Sequence, residues 1–171
     1  MKIWRQIQRL TLTNIIIDTN IWHYAYVEPK EEGYLKIHEQ ARKFLKDTLL
    51  NPEITVAITT HQISEILDLL RKGGVSRLVM LELFEAIKSK KFIIKELTAA
   101  DIESSFKKSL DSGIHIYDYL VTLPLKGLVE KIYSADAHLQ HKDFKDIAKV
   151  ENPVFPWILK EGKKPVQQLQ R

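Results

Sequence analysis

The sequence predicts an α/β protein, a three-layer α/β/α sandwich around a mostly parallel central sheet. Two observations carry that expectation: short apolar runs rich in β-branched and aromatic residues recur along the chain, and segments with helical spacing separate them. Short, uniformly apolar strands suit burial on both faces, and strands alternating with helices favour a parallel sheet covered on both sides. No internal repeat, low-complexity tract or Gly/Ser linker interrupts the pattern, which points to one domain.

The first strand is expected at Asn14-Ile15-Ile16-Ile17, the second at Ile54-Thr55-Val56-Ala57-Ile58, the third at Phe92-Ile93-Ile94 and the fourth at Ile132-Tyr133. Between them, apolar spacing predicts helices over roughly 34–50, 60–72, 76–89, 99–111 and 115–123. Their ends are marked: Thr59 with Gln62 and Thr98 with Asp101 have capping-box spacing, and Gly73-Gly74 and Gly113 fall where helices would stop. Asn152-Pro153 and Pro156 close the last extended segment. The chain therefore divides into an N-terminal extension (1–13), an α/β domain (14–152) and a basic C-terminal tail (153–171), with no fixed structure expected from Lys160 onward. The extension carries Ile3, Trp4, Ile7 and Leu10 with Lys2, Arg5 and Arg9 among them, and reads as a packing element or dimer contact because it is short for a membrane anchor.

At 171 residues and 44% hydrophobic content, the chain has the size of one domain and the means to build a sizeable core. No stretch approaches the roughly 20 apolar residues that span a bilayer, and the N-terminus lacks the apolar run of a secretory signal, so a cytoplasmic protein without a membrane partner is expected. The absence of cysteine excludes disulfides, thiolate metal sites and cysteine nucleophiles. Any metal must be held by Asp, Glu, His or backbone oxygen, and oxygen ligands favour Mg²⁺ or Mn²⁺. The net charge of +4, from 26 Lys and Arg against 22 Asp and Glu, is compatible with a polyanionic partner without specifying one. Basic pairs stand at Arg71-Lys72, Lys90-Lys91, Lys107-Lys108 and Lys163-Lys164.

Ligands of open α/β sheets collect at the carboxyl ends of the strands. Asp18 directly follows the first strand, Glu65 lies in the first two turns of the helix after the second, and Asp136 sits in the turn Ser134-Ala135-Asp136 after the fourth. Asp118 lies on the flank of a late helix, in Ile116-Tyr117-Asp118-Tyr119-Leu120. Each acid alone has a structural explanation. An Asp after a strand commonly caps a helix or turn. Glu65 projects away from the apolar stripe Ile63, Ile66, Leu67 and Leu70 and reads as solvated. Asp118 fits a partly buried acid bonded to a Tyr hydroxyl or a backbone group.

Taken together, Asp18-Thr19-Asn20, Ser64-Glu65-Ile66, Tyr117-Asp118 and Ser134-Ala135-Asp136 resemble the four-acid signature of PIN domains in order and spacing. The resemblance covers roughly residues 14–150, and its most specific piece is Tyr133-Ser134-Ala135-Asp136-Ala137-His138-Leu139. Within that family the small VapC-like toxins of toxin–antitoxin pairs are similar in size. The resemblance implies a PIN-like fold and an endoribonuclease acting on RNA, with Asp18, Glu65, Asp118 and Asp136 as catalytic metal ligands. It places Asn20 and Ser134 behind them, holding carboxylates and the attacking water. It also implies Mg²⁺ or Mn²⁺, an antitoxin protein and a homodimer. Two features depart from the family pattern: Leu120-Val121-Thr122-Leu123-Pro124 stands where small residues are usual, and the chain begins about a dozen residues earlier than the shortest members.

Phosphodiester hydrolysis needs an activated water, in-line geometry and neutralised charge, all of which a divalent ion can supply. Four carboxylates around one pocket repel one another unless a cation sits among them, so the cluster is itself a reason to expect metal. Asp18 is the expected central ligand, with Asp118 and Asp136 completing the site, Glu65 positioning water or a second ion, and Ser134 bonded to a carboxylate. His138 and His141 read as surface residues and Asp143 as a minor candidate, a peripheral ligand or helix cap. Arg71, Lys72, Lys90, Lys91, Lys107 and Lys108 are candidate phosphate contacts, and Tyr24, Trp22 and Tyr117 candidate stacking residues. The alternatives are an RNA-processing PIN nuclease and a PIN-fold module that binds RNA or protein without cutting. The presence of all four acids argues against the module. An aspartyl-phosphate phosphatase is disfavoured because the second Asp it needs is replaced by Asn20.

Overall fold

The computed structural model describes residues 12–160 and 162–168. The apolar pattern expected over residues 3–10 lies outside them. The layers follow from the two-residue period of the first strand, β1 (Thr13–Ile17). Ile15 and Ile17 face one apolar core and Ile16 the other, and all three are buried, as a strand covered on both sides requires.

After β1 come α1 (Thr19–Tyr26), α2 (Leu35–Leu50), β2 (Ile54–Thr59), α3 (Thr60–Lys72), α4 (Arg77–Ile87), β3 (Phe92–Lys95), α5 (Ala99–Ser112) and α6 (Ile116–Thr122). The chain continues with β4 (Lys131–Tyr133), a 3-10 turn (Ala137–Gln140), α7 (Lys142–Lys145), β5 (Lys149–Glu151), and the hairpin strands β6 (Trp157–Ile158) and β7 (Val166–Gln167). The five-stranded sheet has the order β3-β2-β1-β4-β5 and is parallel throughout. The α/β/α sandwich expected from the sequence is the fold observed. Residues of α1 to α4 pack on the Ile15 and Ile17 face. Tyr119 and Val121 of α6 and Phe144 of α7 pack on the Ile16 face with Ala57 and Ile132.

The predicted end signals are realised, the Thr59–Gln62 box by half: the Gln62 side chain donates to the Ile17 carbonyl instead of reaching back to Thr59. The Thr59 hydroxyl accepts from the Gln62 amide, Thr98 and Asp101 form a complete capping box, and Gly113 takes the left-handed conformation (φ 72°) that ends α5. Several elements were not anticipated. The first is α1, two turns long and directly after β1; the others are α7 and the β6–β7 hairpin, while β5 ends directly before the Asn152-Pro153 expected to close the last extended segment. The region from residue 153, set apart in the sequence as a tail, contributes to the domain: Val154, Trp157 and Leu159 are buried in the main core. The Leu159 amide donates to the Ala135 carbonyl at 3.0 Å, tying this segment to the loop after β4. Its apolar side chains bury area that a polar tail would not.

Candidate active site at the carboxyl rim of the sheet

The strand order reverses at β1. The chain runs outward through β2 and β3 on one side and through β4 and β5 on the other, which opens a crevice at the carboxyl ends of β1 and β4. Asp18 follows β1 at this point, and its amide donates to the Tyr133 carbonyl at 2.8 Å, extending the β1–β4 pairing to the rim. It occupies the N-cap position of α1, yet its side chain makes no capping bond. Its Oδ2 instead accepts the Ser134 hydroxyl at 2.6 Å, and the Ser134 Oγ accepts the Asp136 amide at 2.9 Å. One buried serine thus links the β1 acid to the acid after β4.

Asp136 caps the following 3-10 turn, its Oδ1 accepting the His138 amide at 2.7 Å. Asp136 is thus a cap that also lines the pocket. Glu65, which periodicity reads as solvated, is half-buried, and its Oε2 accepts the Thr19 hydroxyl at 2.6 Å. Asp18, Glu65, Asp118 and Asp136 line one pocket together with Thr19 and Asn20, against apolar walls from Leu69, Val121 and Leu139. The structure thus brings the four acids predicted from the sequence to one place, with Asn20 at the rim and Ser134 beneath.

Burial drives Asp18 up, from an ordinary carboxylate value of 3.8 to about 7. The Ser134 hydrogen bond opposes the rise, while the negative charges of Asp136 and Glu65 add to it. The chemistry of the donor set suits a hard cation, since every side-chain donor is oxygen and the acids repel each other without one. Among the described residues no three Asp, Glu or His side chains form a ready-made chelate as they stand. A hydrated ion fits this arrangement, because Mg²⁺ keeps several waters and needs only one or two carboxylates.

Some expected contributors fall elsewhere. Trp22 is fully buried, its indole donating to the Ile17 carbonyl, so it is a core residue and not a stacking platform. Asp143 does not line the pocket; it accepts the Tyr119 hydroxyl at 2.9 Å and Lys108 at 3.3 Å. Arg71 and Lys72 both pair with Asp68, Lys107 pairs with Glu103, and Lys91 donates to the Asn51 and Ile54 carbonyls as a staple of the loop before β2. Tyr117 does line the pocket and is exposed. His138, read from the sequence as a surface residue, stands 3.8 Å from Asp136 Oδ1 and 3.9 Å from Asp118 Oδ2. Its place two residues after Asp136, in the turn that acid caps, was the available signal.

A parallel five-stranded α/β/α sandwich with acids gathered at its switch point is a PIN-like fold. No protein-family model and no curated protein matches the sequence. Solved structures match the fold. Mycobacterium tuberculosis VapC20, a sarcin-ricin loop cleaving toxin, superposes with a TM-score of 0.57 at 17% identity, covering 78% of this chain and 98% of that one. The VapBC2 complex of Rickettsia felis bound to a DNA fragment from their promoter gives a TM-score of 0.49 at 17% identity, covering 82% of this chain and 98% of that chain. The chain is similar in fold to a VapC toxin.

Proposed function

We propose that this chain is a divalent-metal-dependent endoribonuclease of the VapC type, the toxin of a toxin–antitoxin pair. Asp18, Glu65, Asp118 and Asp136 would hold the ion, some of them through its bound waters. The observation that carries this reading is the meeting of four carboxylates from four separate elements in one pocket at the sheet's switch point. A folded chain that crowds acids, with Asp18 buried among them, does so at a cost in stability, and such perturbed clusters in clefts are functional-site candidates.

A bound Mg²⁺ or Mn²⁺ would supply water activation, orientation of the scissile phosphate and neutralisation of its charge. The chain's own residues supply position. Ser134 fixes the rotamer of Asp18, and Thr19 fixes that of Glu65, each through a hydrogen bond of 2.6 Å. Leu69, Val121 and Leu139 limit water around the acids and strengthen every electrostatic interaction there. Asn20, at the start of α1, lines the pocket where it can donate to a phosphate oxygen or a water.

The same reading includes an antitoxin protein and a homodimer. Apolar side chains left exposed on α4 (Leu78, Leu81, Phe84) and α5 (Ile102, Phe106, Leu110) supply area for such partners. The test is cleavage of RNA by the purified chain with Mg²⁺ or Mn²⁺, with EDTA, and with Asp18→Asn beside the wild type. Cleavage that needs the divalent ion and Asp18 supports the nuclease; undiminished cleavage by Asp18→Asn overturns the assignment. Growth arrest on expression, relieved by a small protein encoded immediately upstream, supports the toxin role; its absence favours an RNA-processing nuclease.

A further inference from the structure

We propose that a second groove, walled by α1, the loop before α2 and the β6–β7 hairpin, binds the backbone of an unpaired RNA strand beside the scissile phosphate through Lys30, Lys160 and Lys163. The placement beside a scissile phosphate rests on the nuclease reading; the groove's affinity for RNA does not.

Size is the first argument. The acid pocket encloses about 50 Å³, room for a few waters or a phosphoryl group at ~10–15 Å³ per water. A nucleotide must therefore extend outside it. The neighbouring groove encloses about 340 Å³, within the range of cavities that hold a group of nucleotide size. Continuity is the second argument: Asn20 and Leu69 line both spaces, so a strand leaving the acid pocket on this side enters the groove directly.

The third argument is charge. The acid pocket carries four carboxylates, whereas among the described residues the groove is lined by four lysines and one glutamate. Glu31 is engaged with Lys164 at 2.8 Å. Lys30, Lys160 and Lys163 line the groove and make no ion pair with another described residue, and phosphates bound there would release their counterions. Tyr24 and Tyr34 also line the wall, half-buried against the core, with Tyr34 edge-on to Trp157 at 5.8 Å. An acidic peptide would meet the same lysines; continuity with the acid pocket favours an RNA strand over it on the nuclease reading, and the titration below separates the two.

The experiment is a fluorescence-anisotropy titration of a labelled oligouridylate onto the full chain in EDTA, where divalent-dependent cleavage is off, repeated across salt concentrations. The K30Q/K160Q/K163Q variant is expected to bind about tenfold or more weakly, with its salt slope reduced by about 2, at roughly 0.7 per phosphate contact on a single strand. The corresponding triple Lys→Arg variant is expected to retain binding, and unchanged melting of both variants shows that the fold is intact. With Mg²⁺ present, the triple Gln variant should raise KM for RNA and leave kcat unchanged. Equal affinity and equal salt slope in the Gln variant overturn the proposal, as does binding of a polyglutamate peptide where oligouridylate does not bind. If the wild type fails to cleave RNA while lysine-dependent binding persists, the nuclease reading falls and the groove stands. If the wild type cleaves and the Gln variant has the same KM, the groove falls alone.

Discussion

The acid pocket and the basic groove share a wall at Asn20 and Leu69 and are built by opposite means. Asp18, Ser134 and Asp136 are buried at the ends of core strands and linked by hydrogen bonds of 2.6 and 2.9 Å. Lys30 and Lys163 are exposed on loops, and Lys160 lies on the segment just after β6. The difference is physical. Like charges brought together repel, and only a rigid, desolvated scaffold can hold them in one geometry. Cations that meet a flexible polyanion need no fixed geometry and lose affinity if they are already paired.

The largest expected effect tests the rigid side. Asp18→Asn should lower divalent-dependent RNA cleavage by roughly 10³-fold, in line with the loss of one essential electrostatic group, measured under single-turnover conditions. Retained cleavage would remove Asp18 from the chemistry. The same variant should be more stable than the wild type in EDTA at pH 8. A carboxyl shifted from 3.8 to about 7 is disfavoured in its charged form by up to roughly 4 kcal/mol.

The pH dependence follows from the same shift. Between about 4 and 7 the folded state holds a proton on Asp18 that the unfolded state has released. Stability of the ion-free chain therefore carries a loss from this group as pH rises through that window. Denaturant melts in EDTA should show this fall in the wild type and a flatter profile in Asp18→Asn; identical profiles would mean that Asp18 is not proton-linked to folding.

Ser134→Ala should slow cleavage about 10- to 100-fold, as loss of a residue orienting a ligand does, while Asp18 titrates higher still without the hydroxyl that opposes its rise. Mg²⁺ at a hundred times its Kd should stabilise the wild type by about 2.7 kcal/mol and leave Asp18→Asn nearly unchanged, as read by thermal melting. The smallest effect belongs to the exposed side. Lys163→Gln alone should change stability by no more than about 0.5 kcal/mol, and a larger loss would show that this lysine is structural.

Much of this arrangement was legible in the residues. The strands from Asn14, Ile54, Phe92 and Ile132, the five predicted helices and the caps at Thr59 and Thr98 all have local causes, in periodicity and in hydroxyls spaced to reach a backbone amide. The short helices were not legible: α1 spans two turns and α7 four residues, lengths at which tertiary contacts decide the conformation. Lys91 looked like a surface cation and proved a loop staple, because its partners are carbonyls far away in sequence.

The sequence by itself determined the alternation of strands and helices, the positions of three acids after strands and that of a fourth, Asp118, on a late helix, since these are written in neighbours a few residues apart. Only the tertiary structure decided that Glu65 turns toward Thr19, that Trp22 is sealed in the core, and that the basic C-terminal segment folds back beside α1. Those outcomes depend on contacts far apart in sequence, 46 positions for Thr19 and Glu65, where burial and electrostatics of the assembled chain override local preference.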